Sequence, residues 1–392
     1  MSLNFPIRIA LFVYSTKPRG SVIHTLELSN ALHQLGHDVC IFALDKDGRG
    51  FDYSPLCQSI LIPASQAPSN IDLLIRQRIR EFVNYFEQNG QRLHPFDVYH
   101  AQDCISANAL ALLRGKRKIP HLVRTVHHIE EFDSPYLRDC QDKSIAGPDL
   151  CLCVSDRWQQ ALHNHYGVLA PRVVNGVDPQ RFSPTVDGSE ADLRKRLGLD
   201  GSPIFLTVGG IEPRKNSIRL LQAFAQVLKE YPTAQLIIAG GATLFDYQSY
   251  RDEFFSQVHQ LELLVGKSLI LPGVVSGVDL PYLYRLADAF VFPSIKEGWG
   301  LVVLEAIASG IPVIASDISP FTEFLTHDQA LLIDPMSKDA ISRAMFSVLS
   351  PDLAHSLVQH SQSVLDSYTW KISAQMHVQH YQSLLDHSNQ LD

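Results

Sequence analysis

Short apolar runs rich in β-branched residues alternate with amphipathic stretches along the whole chain of 392 residues. The runs are apolar nearly throughout, which is typical of parallel strands covered by helices on both faces. They predict strands at 7–14, 39–44, 96–100, 122–126, 150–154, 204–208, 235–239, 268–271, 289–293 and 312–315. Between them, 3.6-residue periodicity predicts helices, among them 217–230 and 300–309. This alternation predicts a doubly wound α/β architecture.

One stretch interrupts the alternation. Residues 175–184 and 187–189 are rich in Asn, Gly, Asp and Pro, which is typical of turns and linkers. A new amphipathic unit begins near Glu190. We therefore expect an N-terminal domain over 1–180 and a C-terminal domain over 190–370, each long enough to bury its own core.

Composition and charge narrow the class of protein. Apolar residues make up 45% of the chain and charged residues 19%, as in ordinary globular domains. No apolar run is long enough for a transmembrane helix, and the N-terminus lacks a signal-peptide pattern, so we expect a cytoplasmic protein. The net charge of −8 argues against a nucleic-acid partner. The six cysteines are scattered and are expected to be reduced thiols.

Ligands of open parallel sheets bind beyond the carboxyl ends of the strands, which directs attention to the segments that follow them. Gly209 and Gly210 follow one predicted strand, and Arg214 and Lys215 stand just before the helix at 217–230, with Asn216 as a candidate N-cap. Glycines that admit a ligand, next to two cations at a helix N-terminus, suit a diphosphate. The alternative is a surface loop with solvated charges.

A second glycine-rich turn ends the strand at 289–293 and opens the next helix with Glu297, Gly298, Trp299, Gly300 and Leu301. Backbone N–H groups in such a turn bind phosphate or sugar oxygens. Glu305 follows on an otherwise apolar helix, where a carboxylate is costly without a partner. A ribose diol would provide that partner, and a structural salt bridge is the alternative.

Two further segments follow strands of the first domain. His127 and His128 lie after the strand at 122–126, near Glu130 and Glu131, without the spacing of a zinc site. A sugar-binding or catalytic histidine and a buried structural histidine both remain open. The loop 17–21 contains Gly20. No GxGxxG or GxxxxGK[ST] motif occurs, so nicotinamide, flavin and P-loop ATPase sites lack support.

These residues resemble a known family, the retaining GT-B glycosyltransferases of family 4, also called glycosyl transferases group 1. Glu297 and Glu305 match its EX7E motif, and 174–178, 271–273 and 368–370 match further family segments. The resemblance covers nearly the whole chain, is strongest over 173–325, and is nearest to a subgroup named for a mycobacterial representative. It implies two Rossmann-like domains facing a cleft, with a C-terminal helix over 371–392 that crosses back to the N-domain.

The resemblance also implies a function. The enzyme would transfer a hexosyl unit with retention from a nucleotide sugar to a sugar, lipid or small-molecule acceptor, without a metal or other cofactor. Alternatives are a sugar-nucleotide epimerase or hydrolase on the same fold, and a non-catalytic sugar-binding protein. Carried over by position, the residues that contact the donor are Gly20, His127, Lys215, Glu297, the backbone of 298–302, and Glu305. Gly209, Gly210 and Arg214 are donor-binding candidates from the loop itself.

One departure from the family concerns charge. Relatives usually carry Arg at the position of Gly210, as one of two cations that neutralise the departing diphosphate. We hypothesise that Arg214 replaces it.

Two other patterns have less specific interpretations. Residues 71–86 form an amphipathic helix that, with the basic cluster 114–118, could give weak peripheral contact with an anionic membrane. A helix covering the sheet is the favoured interpretation. His377, His380 and His387 lie on a polar C-terminal segment, and we expect solvated histidines rather than a metal site there.

Overall fold

The computed structural model describes residues 6–90, 95–241 and 247–389. Its contacts divide the chain into two units, Met1–Asn175 together with Trp370–Asp392, and Gly176–Thr369. The turn-rich stretch expected as a linker around 180–190 therefore groups with the second unit. The last helix groups with the first.

The first unit is a six-stranded parallel sheet in the order β3-β2-β1-β4-β5-β6, the doubly wound order of dinucleotide-binding folds. Its strands are β1 (Arg8–Val13), β2 (Asp38–Asp45), β3 (Gln58–Pro63), β4 (Val98–Ala101), β5 (Leu122–Val126) and β6 (Leu150–Cys153). Its helices are α1 (Gly20–Gln34), α2 (Ile71–Asn89), α3 (Cys104–Gly115), α4 (Pro135–Ala146), α5 (Asp156–Tyr166) and, at the end of the chain, α13 (Trp370–Asn389).

The second unit repeats this topology in a parallel sheet ordered β12-β11-β10-β7-β8-β9. Its strands are β7 (Ile204–Val208), β8 (Gln235–Ala239), β9 (Leu269–Gly273), β10 (Ala289–Phe292), β11 (Val313–Ser316) and β12 (Leu331–Ile333). Its helices are α6 (Glu190–Leu197), α7 (Ser217–Glu230), α8 (Gln248–Gln260), α9 (Asp279–Arg285), α10 (Leu301–Ala308), α11 (Lys338–Ser347) and α12 (Pro351–Ser361).

All ten predicted strands are confirmed, each within two residues of its predicted ends. Two strands were missed, β3 and β12, and each lies at one edge of its sheet. β3 exposes much of its length and β12 has only three residues, so neither forms the continuous apolar run that marks the buried strands.

The amphipathic helix α2 covers the first sheet. Its apolar stripe, Ile75, Ile79, Phe82, Val83 and Phe86, is buried, as the favoured interpretation predicts. Peripheral membrane contact stays a prediction. Among the described residues, no helix is long and apolar enough to cross a membrane.

The C-terminal helix α13 packs on α1 and corrects one expectation. His377 is fully buried rather than solvated, with its ring 5.8 Å from that of His24 and 5.7 Å from that of His100. The hydroxyl of Tyr381, one turn further along, lies 2.6 Å from Nδ1 of His100. His387 is exposed, as expected. A helix that is polar in composition still buries the face that meets another helix.

Asn216 connects three strand ends of the second sheet. It stands at the N-cap position of α7 with a φ of +60°, but its side chain makes no capping bond, so the predicted role is wrong. Instead its amide donates to the carbonyl of Pro293 after β10 at 3.0 Å and to that of Pro335 after β12 at 2.6 Å. This bridge fixes the loop after β7 against its neighbours.

We expect Asn216→Ala to lower the free energy of unfolding by roughly 2–4 kcal/mol, because two buried carbonyls lose their donor. Urea unfolding measures the change. Asn216→Gly is the matched control, since glycine accepts the positive φ without strain and isolates the amide's contribution. Equal stability of Asn216→Gly and the wild type would show that the amide bridge contributes nothing.

Candidate active site

The ends of β7 and β8 pack backbone against backbone. The Gly209 N–H donates to the carbonyl of Ala239 at 2.7 Å, and Gly209 has a φ of +153°. A Cβ on Gly240 would lie 2.3 Å from the carbonyl carbon of Gly209, and one on Gly210 would lie 2.5 Å from the carbonyl oxygen of Gly241. Position 210 therefore has no room for a side chain, whatever ligand binds there.

Arg214 and Lys215 converge on one carboxylate. Their Nη1 and Nζ atoms lie 2.9 and 2.6 Å from Oε1 of Glu297, in the turn after β10. The hydroxyl of Ser294 lies 2.6 Å from the same oxygen, and Nζ of Lys215 also lies 4.3 Å from the ring centroid of Phe292. The Lys215 side chain is only 13% exposed, which excludes the solvated-loop alternative for this residue.

Arg214 is held from its other side by Glu212, a residue that the sequence analysis did not single out. Nε of Arg214 lies 2.9 Å from Oε2 of Glu212, whose side chain is buried. Oε1 of Glu212 would lie 2.9 Å from a Cβ on Gly210. Glu212 thus fills the space beside the glycine and fixes the guanidinium. A carboxylate two residues before two adjacent cations was the available signal.

These contacts set the charge states. Burial raises the pKa of Glu297, but the charges of Lys215 and Arg214, with their hydrogen bonds, outweigh burial and lower that pKa to about 2. Burial lowers the pKa of Lys215, and the charge of Glu297 opposes this. Because the pKa of Glu297 is below its usual 4.5, its stabilising contribution is present above pH 4.5 and is lost as the pH falls towards about 2.

The turn from β10 into α10 forms the second predicted segment. Gly300 has a φ of +128°, and a Cβ there would lie 2.8 Å from the ring of Phe321. No side chain caps the N-terminus of α10. The Trp299 ring is buried and stacks on Phe324 with centroids 4.9 Å apart, so the tryptophan anchors this turn in the core. Gly298, Gly300 and Leu301 then contribute backbone to the entrance of the helix.

Glu305 is buried on α10, and its environment explains how an apolar helix tolerates it. The hydroxyl of Tyr284, on α9, donates to Oε2 of Glu305 at 2.8 Å. Burial and the Glu305 carboxylate raise the pKa of Tyr284, so the tyrosine stays a neutral donor. The sequence analysis did not identify the hydroxyl of Tyr284 as the partner of Glu305.

In the first unit, the two adjacent histidines point in different directions, as expected for an extended segment. Nε2 of His127 lies 3.0 Å from Oε1 of Gln102, and its ring centroid is 4.7 Å from that of His24. His128 is largely exposed, and its Nε2 lies 2.8 Å from Oε1 of Glu130. Burial and neighbouring positive groups hold the pKa of His127 well below its usual value, so it is neutral at neutral pH.

Gly20 is the first residue of α1, and a Cβ there would meet nothing within 4 Å. The fold therefore does not require glycine at this position. The contact with a donor diphosphate that the resemblance implies for Gly20 stays a prediction.

The predicted residues thus form three groups. Gly209, Gly210, Arg214, Lys215 and Glu297 meet at the strand ends of the second sheet, and Glu305 lies on α10 beside Tyr284. His127 and Gly20 belong to the first unit. Within the part of the chain that the structure describes, no three His, Cys, Asp or Glu side chains are grouped so as to hold a metal ion.

Comparison with known proteins identifies the family. Residues 18–181 match Glycosyltransferase Family 4, and residues 189–363 match Glycosyl transferases group 1. The two matches together span most of the chain, which belongs to this family of glycosyltransferases and has its GT-B fold.

The sequence identity to individual relatives is low. The chain is 29% identical to O-antigen chain mannosyltransferase B of Escherichia coli over 246 residues, which are 60% of this chain and 63% of that protein. It is 29% identical to alpha-monoglucosyldiacylglycerol synthase of Streptococcus pneumoniae over 343 residues, 82% of this chain and 74% of that protein. The structure of sucrose-phosphate synthase from Thermosynechococcus elongatus shares the fold, with a TM-score of 0.78, 23% identity and coverage of 97% and 99%.

We expect Gly210→Ala to lower the free energy of unfolding by about 1–3 kcal/mol, because the added methyl group overlaps the carbonyl oxygen of Gly241 and a carboxylate oxygen of Glu212. Gly210→Arg should lose at least as much and should not raise turnover. Thermal and urea unfolding measure both variants. Gly115→Ala, at a helical glycine with open space around it, is the matched control. Wild-type stability in Gly210→Ala would contradict the close approach of Gly241.

Proposed function

We propose that this chain transfers a hexosyl unit from a nucleoside-diphosphate sugar to an acceptor hydroxyl, with retention of configuration and without a bound metal. The observation that carries the proposal is the convergence of Lys215 and Arg214 on Glu297 beside the uncapped N-terminus of α10. Two cations and a helix N-terminus suit a diphosphate and stabilise the charge that it develops as a leaving group.

Each group has a role in this proposal. Glu297 holds both cations in position before the donor arrives, and its carboxylate lies next to the donor sugar. The backbone N–H groups of 298–302 bind sugar and phosphate oxygens. Glu305, oriented by Tyr284, accepts hydrogen bonds from the ribose hydroxyls.

For the first unit, the family resemblance implies that Gly20 contacts the diphosphate and that His127 contacts the donor sugar. The bond to Gln102 Oε1 requires a proton on Nε2 of His127, so in the neutral ring Nδ1 is the acceptor for a sugar hydroxyl. His128, paired with Glu130, takes no part.

The relatives support the hexosyl assignment by their names. A mannosyltransferase and a monoglucosyldiacylglycerol synthase both transfer hexosyl units, one in O-antigen synthesis and one to form a glycolipid. Their acceptors differ, so these names support transfer of a hexosyl unit but do not indicate which acceptor this chain uses.

Donor binding and turnover in EDTA test the proposal. One of the UDP-, GDP- or ADP-sugars should stabilise the protein by about 2.7 kcal/mol at one hundred times Kd, seen as a rise in melting temperature. Turnover of that donor should persist in EDTA because Arg214 and Lys215 supply the positive charge. Turnover abolished by chelator and restored by Mg²⁺ or Mn²⁺ would contradict metal independence. Release of free sugar with every acceptor would favour a hydrolase.

Arg214→Lys tests whether the planar guanidinium replaces the arginine that relatives carry at position 210. Turnover should fall ~10–100-fold, because one charge-assisted bond to the diphosphate is lost. Glu212→Gln should also lower turnover, because it releases the guanidinium of Arg214 without removing a group that contacts the donor. Lys229→Ala, an exposed cation at the end of α7, is the control. Near-normal turnover in both Arg214→Lys and Arg214→Ala would contradict the replacement by Arg214 and would show that Lys215 alone supplies the charge.

A further inference from the structure

A second group of cations lies at the strand ends of the first sheet, next to Gly20 at the start of α1. Tyr14 follows β1 and Lys46 follows β2. Nζ of Lys46 lies 4.6 Å from the centroid of the Tyr14 ring, and Nη1 of Arg19 donates to the Tyr14 hydroxyl at 2.8 Å. One tyrosine therefore joins two cations at the edge where a parallel sheet binds its ligands.

The carboxylates nearest to Lys46 form their hydrogen bonds and ion pairs with other groups. Asp103 accepts from the backbone N–H groups of Tyr14 and Ser106, each at 2.8 Å. Glu81 accepts from Nη1 of Arg78 at 2.7 Å, and Asp47, in the same turn as Lys46, pairs with Lys17. Among the described residues, no carboxylate forms an ion pair with Lys46 or Arg19.

This arrangement is unfavourable without a ligand. Burial, and the positive charges of Arg19 and Arg78, lower the pKa of Lys46 to about 8, although the negative charges of Asp103 and Glu81 partly oppose this. Two polar atoms of the same region, Oγ1 of Thr16 and Nε of Arg78, are buried without a hydrogen-bond partner. Unpaired positive charge beside unsatisfied polar atoms destabilises the protein unless a bound anion compensates for it.

We propose that Lys46, Arg19 and Tyr14 bind a phosphate group carried by the acceptor. The guanidinium fork grips two phosphate oxygens, the ammonium adds a point charge, and the tyrosine hydroxyl donates its own proton. This inference rests on the proposed glycosyl transfer, because it assigns the cluster to the acceptor of that reaction. A soluble polyol phosphate and a phospholipid headgroup share this chemistry.

Inorganic phosphate tests the binding site without knowledge of the acceptor. In protein with ¹³C-dimethylated lysines, the Lys46 signal, assigned by its loss in Lys46→Gln, should titrate near pH 8. Saturating phosphate should raise that pKa by about 1 or more, since a bound anion favours the charged form. Arg19→Gln should weaken the rise, and Arg49→Gln, which removes an exposed cation in the same turn, should leave it intact. An unchanged titration of Lys46 in phosphate would overturn the proposal.

Acceptor kinetics test the assignment to the reaction. Fructose 6-phosphate and myo-inositol 1-phosphate are compared with fructose and myo-inositol, and phosphatidylinositol vesicles with phosphatidylcholine vesicles. Phosphorylated acceptors should be preferred, and Lys46→Gln should raise their KM ~10–100-fold while the donor KM and the Arg49→Gln control stay unchanged. Activity with the polyol phosphates identifies a soluble source, and activity with phosphatidylinositol alone identifies a headgroup. Equal use of neutral acceptors, unaffected by Lys46→Gln, would refute the assignment.

The two proposals fail separately. Donor binding, measured as a rise in melting temperature, needs neither Lys46 nor a phosphorylated acceptor, so its absence counts against the proposed function alone. A phosphate-induced rise in the pKa of Lys46 would persist in that case.

Discussion

A carboxylate withdrawn from water must be matched by positive charge, and the strand ends of the second sheet are arranged around one such group. Glu297 is buried, and two cations and a hydroxyl meet at a single one of its oxygens. The loop after β7 and the turn after β10 are therefore held together by electrostatics as well as by backbone bonds, such as the one from the Ile295 N–H to the carbonyl of Arg214. In the proposed function, an incoming diphosphate would meet cations whose positions are already fixed, which would lower the cost of ordering them.

The sequence allowed both sheets and much of the site to be predicted because buried parallel strands and glycine-rich strand ends leave local signals. The strands 122–126, 204–208 and 235–239 were predicted to the residue, since each is a predominantly apolar run whose residues are almost all buried. Glu297 and Glu305 were identified by their spacing and by the family resemblance. In each case the information lies within about ten consecutive residues.

The contacts that were missed join distant parts of the chain. Tyr284 reaches Glu305 across 21 residues, and the ring of His377 packs against His24, more than 350 residues away. Glu212 is closer to Arg214, but its partner was not apparent because loop geometry decides which charges meet. Strand β3 was not predicted for a different reason. It lies at the edge of its sheet, pairs with one strand only and has a partly exposed face, so its sequence is not a continuous apolar run.

The approach of Gly241 to Gly210 also constrains how the protein can change over generations. A single substitution that places a side chain at position 210 meets the carbonyl oxygen of Gly241 and a carboxylate oxygen of Glu212. An arginine at position 210 would have to move the carbonyl of Gly241, just beyond β8, and displace Glu212, which would release Arg214. The present arrangement of glycine, glutamate and arginine is therefore expected to be inherited as a unit among descendants of this chain.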